Sequence, residues 1–264
     1  MTHECLSGGA PEQPPSLSAV GDLAMQVVSV LSARQAESQR GAVRPYISSL
    51  LDKRIVARGP FNATDMLEEL RGFHLGDDAI INDYIPVSAR RIGEKWVASE
   101  LGFADVTIAT VRLQSLLTEV AYSDTSLCPI SDVPLHVLMV IPESDQHTLG
   151  GFVAAAQLRR RGASVDVMCG EKEDEVVAHC ASGSFDAVMF SCSKAGALDS
   201  IGQIVKQTRL RLSRRPVFAL GGIVLNYIAN VQRLTGVDLV AQDVETVVTY
   251  CEQRSILSPK QAVR

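Results

Sequence analysis

LHVLMVIPESDQHTLGGFVAAAQLRRR, residues 135–161, decides the fold. Leu135 to Ile141 is an unbroken apolar run of strand length, as expected of a strand buried on both faces. Pro142 and a polar turn follow. From Leu149 to Arg161 the apolar residues return at helical spacing. A doubly buried strand running straight into a helix belongs to a parallel sheet, because crossover helices cover both of its faces.

The same rhythm continues toward the C-terminus. Strands are expected at Ser164–Met168, Phe185–Phe190 (FDAVMF), Val217–Leu220 and Leu239–Ala241. Helices are expected at Glu171–Cys180, Leu198–Leu212, Val224–Leu234 and Val244–Gln253. This alternation predicts an α/β fold with a doubly wound, Rossmann-like parallel sheet over residues 134–254. Such sheets bind ligands beyond the carboxyl ends of their strands, which directs attention to the loops after the first, third and fourth.

Toward the N-terminus the period is that of helices only. LSAVGDLAMQVVSVLSAR, Leu17 to Arg34, is amphipathic; Val43–Val56, Asp83–Ala98 and Ala104–Ala121 follow the same spacing, and Asn62 or Thr64 caps a helix entering MLEELRGF. Residues 41–123 therefore read as a helical bundle. Residues 1–40 read as an extension with one helix, disordered over its first Gly-, Pro- and Ser-rich stretch. SDTSLCPISDVP, Ser123 to Pro134, reads as the linker.

The bulk properties exclude several classes. The chain has 264 residues, 46% hydrophobic and 21% charged, as in ordinary globular proteins. Its formal net charge of -5 argues against direct DNA binding, which relies on neutralising phosphates. No apolar run is long enough for a membrane span, and the N-terminus lacks the basic and apolar regions of a signal peptide. The six cysteines form no C-x-x-C pair, so a reduced, cytoplasmic protein is expected.

Glu143-Ser-Asp145-Gln-His147-Thr-Leu-Gly150-Gly151 occupies the loop after the first strand. An imidazole there can ligate a metal through one ring nitrogen while a carboxylate two residues away holds the other N–H. A lone loop histidine reads as a solvated side chain, so the weight rests on its companions. Ser191-Cys-Ser193-Lys-Ala-Gly196 follows the third strand and Gly221-Gly222 the fourth. By itself a Gly-Gly pair is a tight turn. Small residues at three adjacent strand ends suggest a slot between strands. No G-x-G-x-x-G follows the first strand, which weakens a dinucleotide reading.

Asp145-x-His147-x-x-Gly150, then Ser191-x-x about 41 residues on, then Gly221-Gly222, resembles the cobalamin-binding signature D-x-H-x-x-G, S-x-L/T, G-G. Tyr84-Ile-Pro-Val-Ser-Ala-Arg-Arg-Ile-Gly93-Glu94-Lys-Trp96 and Gly102-Phe-Ala-Asp105-Val-Thr-Ile-Ala resemble the helical cap of those proteins, and the likeness spans roughly residues 45–250. The resemblance implies cobalamin, as adenosylcobalamin or hydroxocobalamin, with His147 as lower axial cobalt ligand and Asp145 tuning it. It implies a displaced nucleotide tail lined by Gly150, Ser191, Gly221 and Gly222, with Thr148 and Ser193 beside it. Trp96 would press on the upper corrin face, against the plain reading of a bundle-core residue.

Three uses of such a module compete: a methyl carrier, a light-sensing repressor with its own DNA-binding domain, and a cobalamin-binding antirepressor of the AerR/PpaA family. About 40 nearly neutral residues before the bundle leave little room for a winged helix domain. In methionine synthase a serine completes a hydrogen-bond chain through the aspartate to the histidine. Ala197 stands there in this chain, and Ser193 replaces the usual leucine; Ser200 or a water is the expected compensation. Light-sensing repressors carry Glu-His ten and eleven residues after the cap tryptophan, where this chain has Val106 and Thr107. The layout therefore resembles the AerR/PpaA family most. That likeness implies a non-enzymatic, light-responsive regulator of photosynthesis genes, partnered with a DNA-binding repressor of the CrtJ/PpsR type.

Overall fold

Residues 43–123 and 135–257 are described by a computed structural model; the expected helix at Leu17–Arg34 and the linker after Ser123 lie outside the described residues. The described residues from Arg44 onward form one compact unit. The helical region contains α1 (Pro45–Val56), α2 (Ala63–Gly72), α3 (Ile85–Val97) and α4 (Phe103–Ser123). Asn62, not Thr64, caps α2, since its side chain accepts from the backbone N–H of Thr64 at 3.0 Å. The helix expected from Asp83 begins earlier. A helical turn at Asp77–Ala79 leads through a π turn at Ile80–Tyr84 into α3, because Ile80, Ile81, Tyr84 and Ile85 all enter the core.

The period of α4 explains its place. Ala109, Leu113, Leu116, Leu117 and Val120 recur three and four apart and are all buried against α1, α2 and α3. From the same helix Arg112 donates to the carbonyls of Ile55 at 3.0 Å and Gly59 at 2.6 Å, satisfying the end of α1. A buried polar knot ties α1 to α3. Asp52 accepts from Ser88, and Arg91 pairs with Asp52 at 3.2 Å.

The second region alternates β1 (His136–Ile141), α5 (Leu149–Arg160), β2 (Ser164–Cys169), α6 (Glu173–Ser182), β3 (Ala187–Ser191), α7 (Leu198–Arg211), β4 (Val217–Gly221), α8 (Val231–Thr235), β5 (Leu239–Val240) and α9 (Val244–Leu257). All five strands are parallel, in the order β2-β1-β3-β4-β5. Alternation splits the core. Leu138, Val140, Val188, Phe190, Phe218 and Leu220 pack under α6 and α7; Val137, Met139, Ala187, Met189, Val217 and Ala219 face α5 and α9. This is the doubly wound α/β sheet behind an N-terminal helical region that the pattern predicts.

One further expectation fails locally. The helix expected over Val224–Leu234 is split into a 3-10 turn at Ile223–Asn226 and the short α8, with Asn230 left-handed at φ 59°. The Val224 N–H leaves the helical pattern to donate to Cys192 at 3.2 Å, and Asn230 supplies the turn that restarts it. Arg159–Arg161, the basic end of α5, make specific contacts. Arg159 donates to the Val165 carbonyl at 2.7 Å, Arg160 pairs with Asp78 and Arg161 pairs with Glu245. Helix α5 thus also carries the helical region, through α4, the π turn and the Arg160–Asp78 pair. No helix among the described residues is long and apolar enough to cross a membrane.

Candidate functional site

The strand order reverses between β1 and β3. From β1 the chain turns to one side to make β2, then crosses to the other to make β3. The loops after β1 and β3 therefore diverge, leaving a crevice at the carboxyl edge of the sheet. Asp145 and His147 lie on the first of these loops and Ser193 on the second.

Asp145 pins the two loops together. It is 5% exposed and accepts from the His147 N–H at 3.0 Å, from the Ser193 N–H, and from the Ser193 hydroxyl at 2.6 Å. Burial pushes its carboxyl pKa up, but the Ser193 hydroxyl and the backbone donors of His147 and Ser193 outweigh that and hold it below its usual range. A buried carboxylate with three donors is a fixed anion.

The imidazole does not touch that carboxylate directly. Its Nδ1 lies 3.5 Å from Asp145 but 2.9 Å from the Ser193 hydroxyl, so Ser193 stands between them. The His147 side chain is otherwise 64% exposed, and no group among the described residues bonds its Nε2. Ser200, named with a water as the compensating group, makes no hydrogen bond to Asp145 among the described residues, and Ala197 is buried among apolar side chains. The hydroxyl comes from Ser193, the residue that departs from the usual leucine.

The glycines have a more specific role than lining a slot. Gly222 has φ +108°, and a Cβ there would sit 2.3 Å from the Cys192 carbonyl oxygen. Cys192 in turn donates to the Gly221 carbonyl at 3.0 Å. This backbone approach sets the position of Ser193, the next residue. A Cβ on Gly221 would meet the Ala241 carbonyl oxygen at 2.9 Å, and one on Gly151 would strike Ile141. Gly150 is different: it is exposed, and a Cβ there would stop 3.8 Å from the Ser191 hydroxyl. Ser191 is half-buried, and no protein group among the described residues bonds its hydroxyl. Gly150 and Ser191 are thus the open small residues beside His147.

Thr148 ties the loop to the helical region, accepting from Gln114 of α4 at 2.7 Å. Gln114 gave no signal in the sequence, because one polar residue in an amphipathic helix is unremarkable until its partner is known. Phe103, Thr107, Val111 and Gln114 follow helical spacing along one stripe, of which Phe103 and Val111 are exposed apolar side chains. Trp96 is not a core residue; it is 49% exposed at the end of α3. The Thr107 hydroxyl donates to the Phe103 carbonyl one turn back at 2.8 Å. A separate open depression of about 630 Å³ adjoins the ends of β4 and β5, lined by Leu225, Ile228, Val231, Val240 and Gln242, with none of the predicted site residues.

The donor set can be tested against the group that the sequence implies. No cluster of three or more His, Cys, Asp or Glu among the described residues could hold a metal ion. One exposed imidazole suits a metal whose equatorial positions are already filled by a macrocycle. Its buried brace supplies the support such a ligand needs, and the open Gly150–Ser191 edge leaves room beside it. The residues fit a corrinoid.

No protein-family model matches the chain. It is 32% identical over 187 residues to the Rhodobacter capsulatus protein named "Uncharacterized 20.5 kDa protein in bchF-crtJ intergenic region", covering 70% of this chain and 96% of the relative. Among solved structures, the Methanosarcina barkeri monomethylamine corrinoid protein superposes with a TM-score of 0.59 at 14% identity, over 79% of this chain and 96% of that one. A cobalamin-binding protein from Desulfitobacterium hafniense gives a TM-score of 0.40 at 15% identity, over 79% and 96%. The fold is therefore that of the monomethylamine corrinoid protein.

Proposed function

Since this chain belongs to the same family as the Rhodobacter capsulatus 20.5 kDa protein of the bchF-crtJ intergenic region, we propose that it is a cobalamin-binding antirepressor of photosynthesis genes. The observation that carries the cobalamin reading is the exposed His147 imidazole, braced through Ser193 by a buried aspartate at the β1/β3 crossover. The relative's position beside crtJ supports a partner of the CrtJ/PpsR repressor type. The acidic charge of -5 supports action through a protein rather than on DNA.

In this reading His147 would be the protein's ligand to cobalt, Asp145 and Ser193 would hold it, and Gly150 and Ser191 would make room for the nucleotide tail. Trp96 and the Phe103–Val111 stripe would supply apolar contact to the corrin. A bound alkylcobalamin would supply a light-labile cobalt–carbon bond. The chain supplies the readout: α4 is tied to the His147 loop by Gln114–Thr148, so a change in what lies against α4 biases the helical region. The ligand shifts that balance only by its differential contacts with the two arrangements.

The test mixes purified protein with adenosylcobalamin or hydroxocobalamin in darkness and in light, then titrates a CrtJ/PpsR-type repressor. Co-elution of corrinoid, a spectrum altered by His147→Ala, and repressor affinity that depends on cobalamin state are expected. Identical repressor affinity in every state would exclude the switch. The fold shared with the monomethylamine corrinoid protein favours one second reading, a methyl carrier. A carrier would pass a methyl group to a partner methyltransferase and ignore the repressor.

A further inference from the structure

We propose that Ser193 is a positioning residue that holds neutral His147 with its proton on Nδ1, leaving the Nε2 lone pair free as the donor to metal. The Ser193 hydroxyl has one proton and faces two groups, Asp145 at 2.6 Å and His147 Nδ1 at 2.9 Å. Asp145 is an anion whose other contacts are all donors, and its Oδ1, which also accepts from the His147 N–H, presents a further lone pair that only a hydrogen can face at 2.6 Å. The hydroxyl proton therefore goes to Asp145. Only lone pairs remain to face Nδ1, and a contact of that length is attractive only if Nδ1 carries hydrogen.

The reverse arrangement, with Ser193 donating to Nδ1, would set two oxygen lone-pair regions against each other at 2.6 Å beside a buried charge. Direct control by Asp145 is excluded by its 3.5 Å separation from the ring nitrogen. The orientation is thus assigned to Ser193, and Ser193 is placed by the Gly222–Cys192 backbone contact and by its own N–H on Asp145. The inference deepens the cobalamin reading and rests on it only for the identity of the metal; the tautomer belongs to the free protein.

The experiment records ring 15N resonances of the ligand-free full chain at a pH where its imidazoles are neutral, assigning His147 with a His147→Gln variant. The wild type is expected to show His147 protonated at Nδ1. Ser193→Ala should move it to the Nε2–H form that histidine favours in water, and Ser193→Thr should keep the Nδ1–H form. Unmoved resonances from the other histidines check that the variants are folded. A wild-type Nε2–H ring, or a Ser193→Ala ring still protonated at Nδ1, overturns the proposal. Adding hydroxocobalamin then tests the consequence: Ser193→Ala should bind about 10- to 100-fold more weakly, the range for losing a group that supports a ligand, and Ser193→Thr should bind like wild type. Equal affinity despite a changed tautomer overturns the functional part. A wild type with the expected tautomer but no uptake of cobalamin leaves Ser193's assignment standing and overturns the proposed function instead.

Discussion

Two buried aspartates, one in each region, take the same elements to opposite ends. Asp52 in the helical region and Asp145 at the sheet edge are 8% and 5% exposed, and each accepts from a serine hydroxyl. Asp52 is closed by Arg91 at 3.2 Å, so its charge is neutralised in place and the knot ends there. Among the described residues Asp145 meets no arginine or lysine. Backbone N–H groups hold it, and its serine passes the interaction on to an exposed imidazole with an unused nitrogen. A buried carboxylate is therefore no sign of function by itself; what matters is whether its hydrogen-bond chain terminates inside the protein or in a free donor.

Removing each carboxylate should separate the two. Asp145→Ala leaves two backbone N–H groups and the Ser193 hydroxyl without their acceptor, at a cost of roughly 3 kcal/mol or more. It should also abolish retention of cobalamin on gel filtration. Asp52→Ala strands the fully buried Ser88 hydroxyl but leaves Arg91 partly solvated, so about 2 kcal/mol of stability should be lost in urea unfolding. Cobalamin affinity of the remaining folded protein should not change. Equal loss of binding in both variants would break the distinction.

A third change tests how the sheet edge is set. Gly222→Ala puts a side chain at φ +108° against the Cys192 backbone, with an expected cost of about 1–3 kcal/mol. The Cys192–Ser193 segment must then shift, and the His147 ring resonance should move without any substitution at the Asp145–Ser193–His147 chain. An unmoved resonance would show that Ser193 is placed by Asp145 alone.

A pH series also separates the regions. Burial pushes Cys180 and Cys251 up to about 11 from 9.0, and both lie in the sheet region. The folded state keeps protons that the unfolded chain releases, so this stabilisation is full below the unfolded value and falls as pH rises toward the folded one. The thermal midpoint should drop between about pH 9 and pH 11, and a Cys180→Ala, Cys251→Ala double variant should drop less. The helical region, residues 43–123, has no cysteine to contribute.

Much of this molecule is legible without coordinates. The apolar run at Leu135–Ile141 and the alternation after it specify the parallel sheet, because a period of two or a continuous apolar run can be buried only in a few ways. Asn62 announces a cap and Asp145-x-His147 a braced imidazole. The break at Asn230 escapes that reading, since apolar residues at helical spacing also occur where a tertiary contact, here Val224 to Cys192, draws the backbone away. Ser193 is named by that reading, but its role as the brace escapes it: whether a hydroxyl lies beside an aspartate 48 residues distant depends on how two loops diverge from adjacent strands. Local periodicity is a property of neighbouring residues, so the chain alone determines its elements and their order. Hydrogen bonds between loops depend on ångström-scale distances, so only the packed tertiary structure decides that Ser193, and neither Ala197 nor Ser200, completes the site.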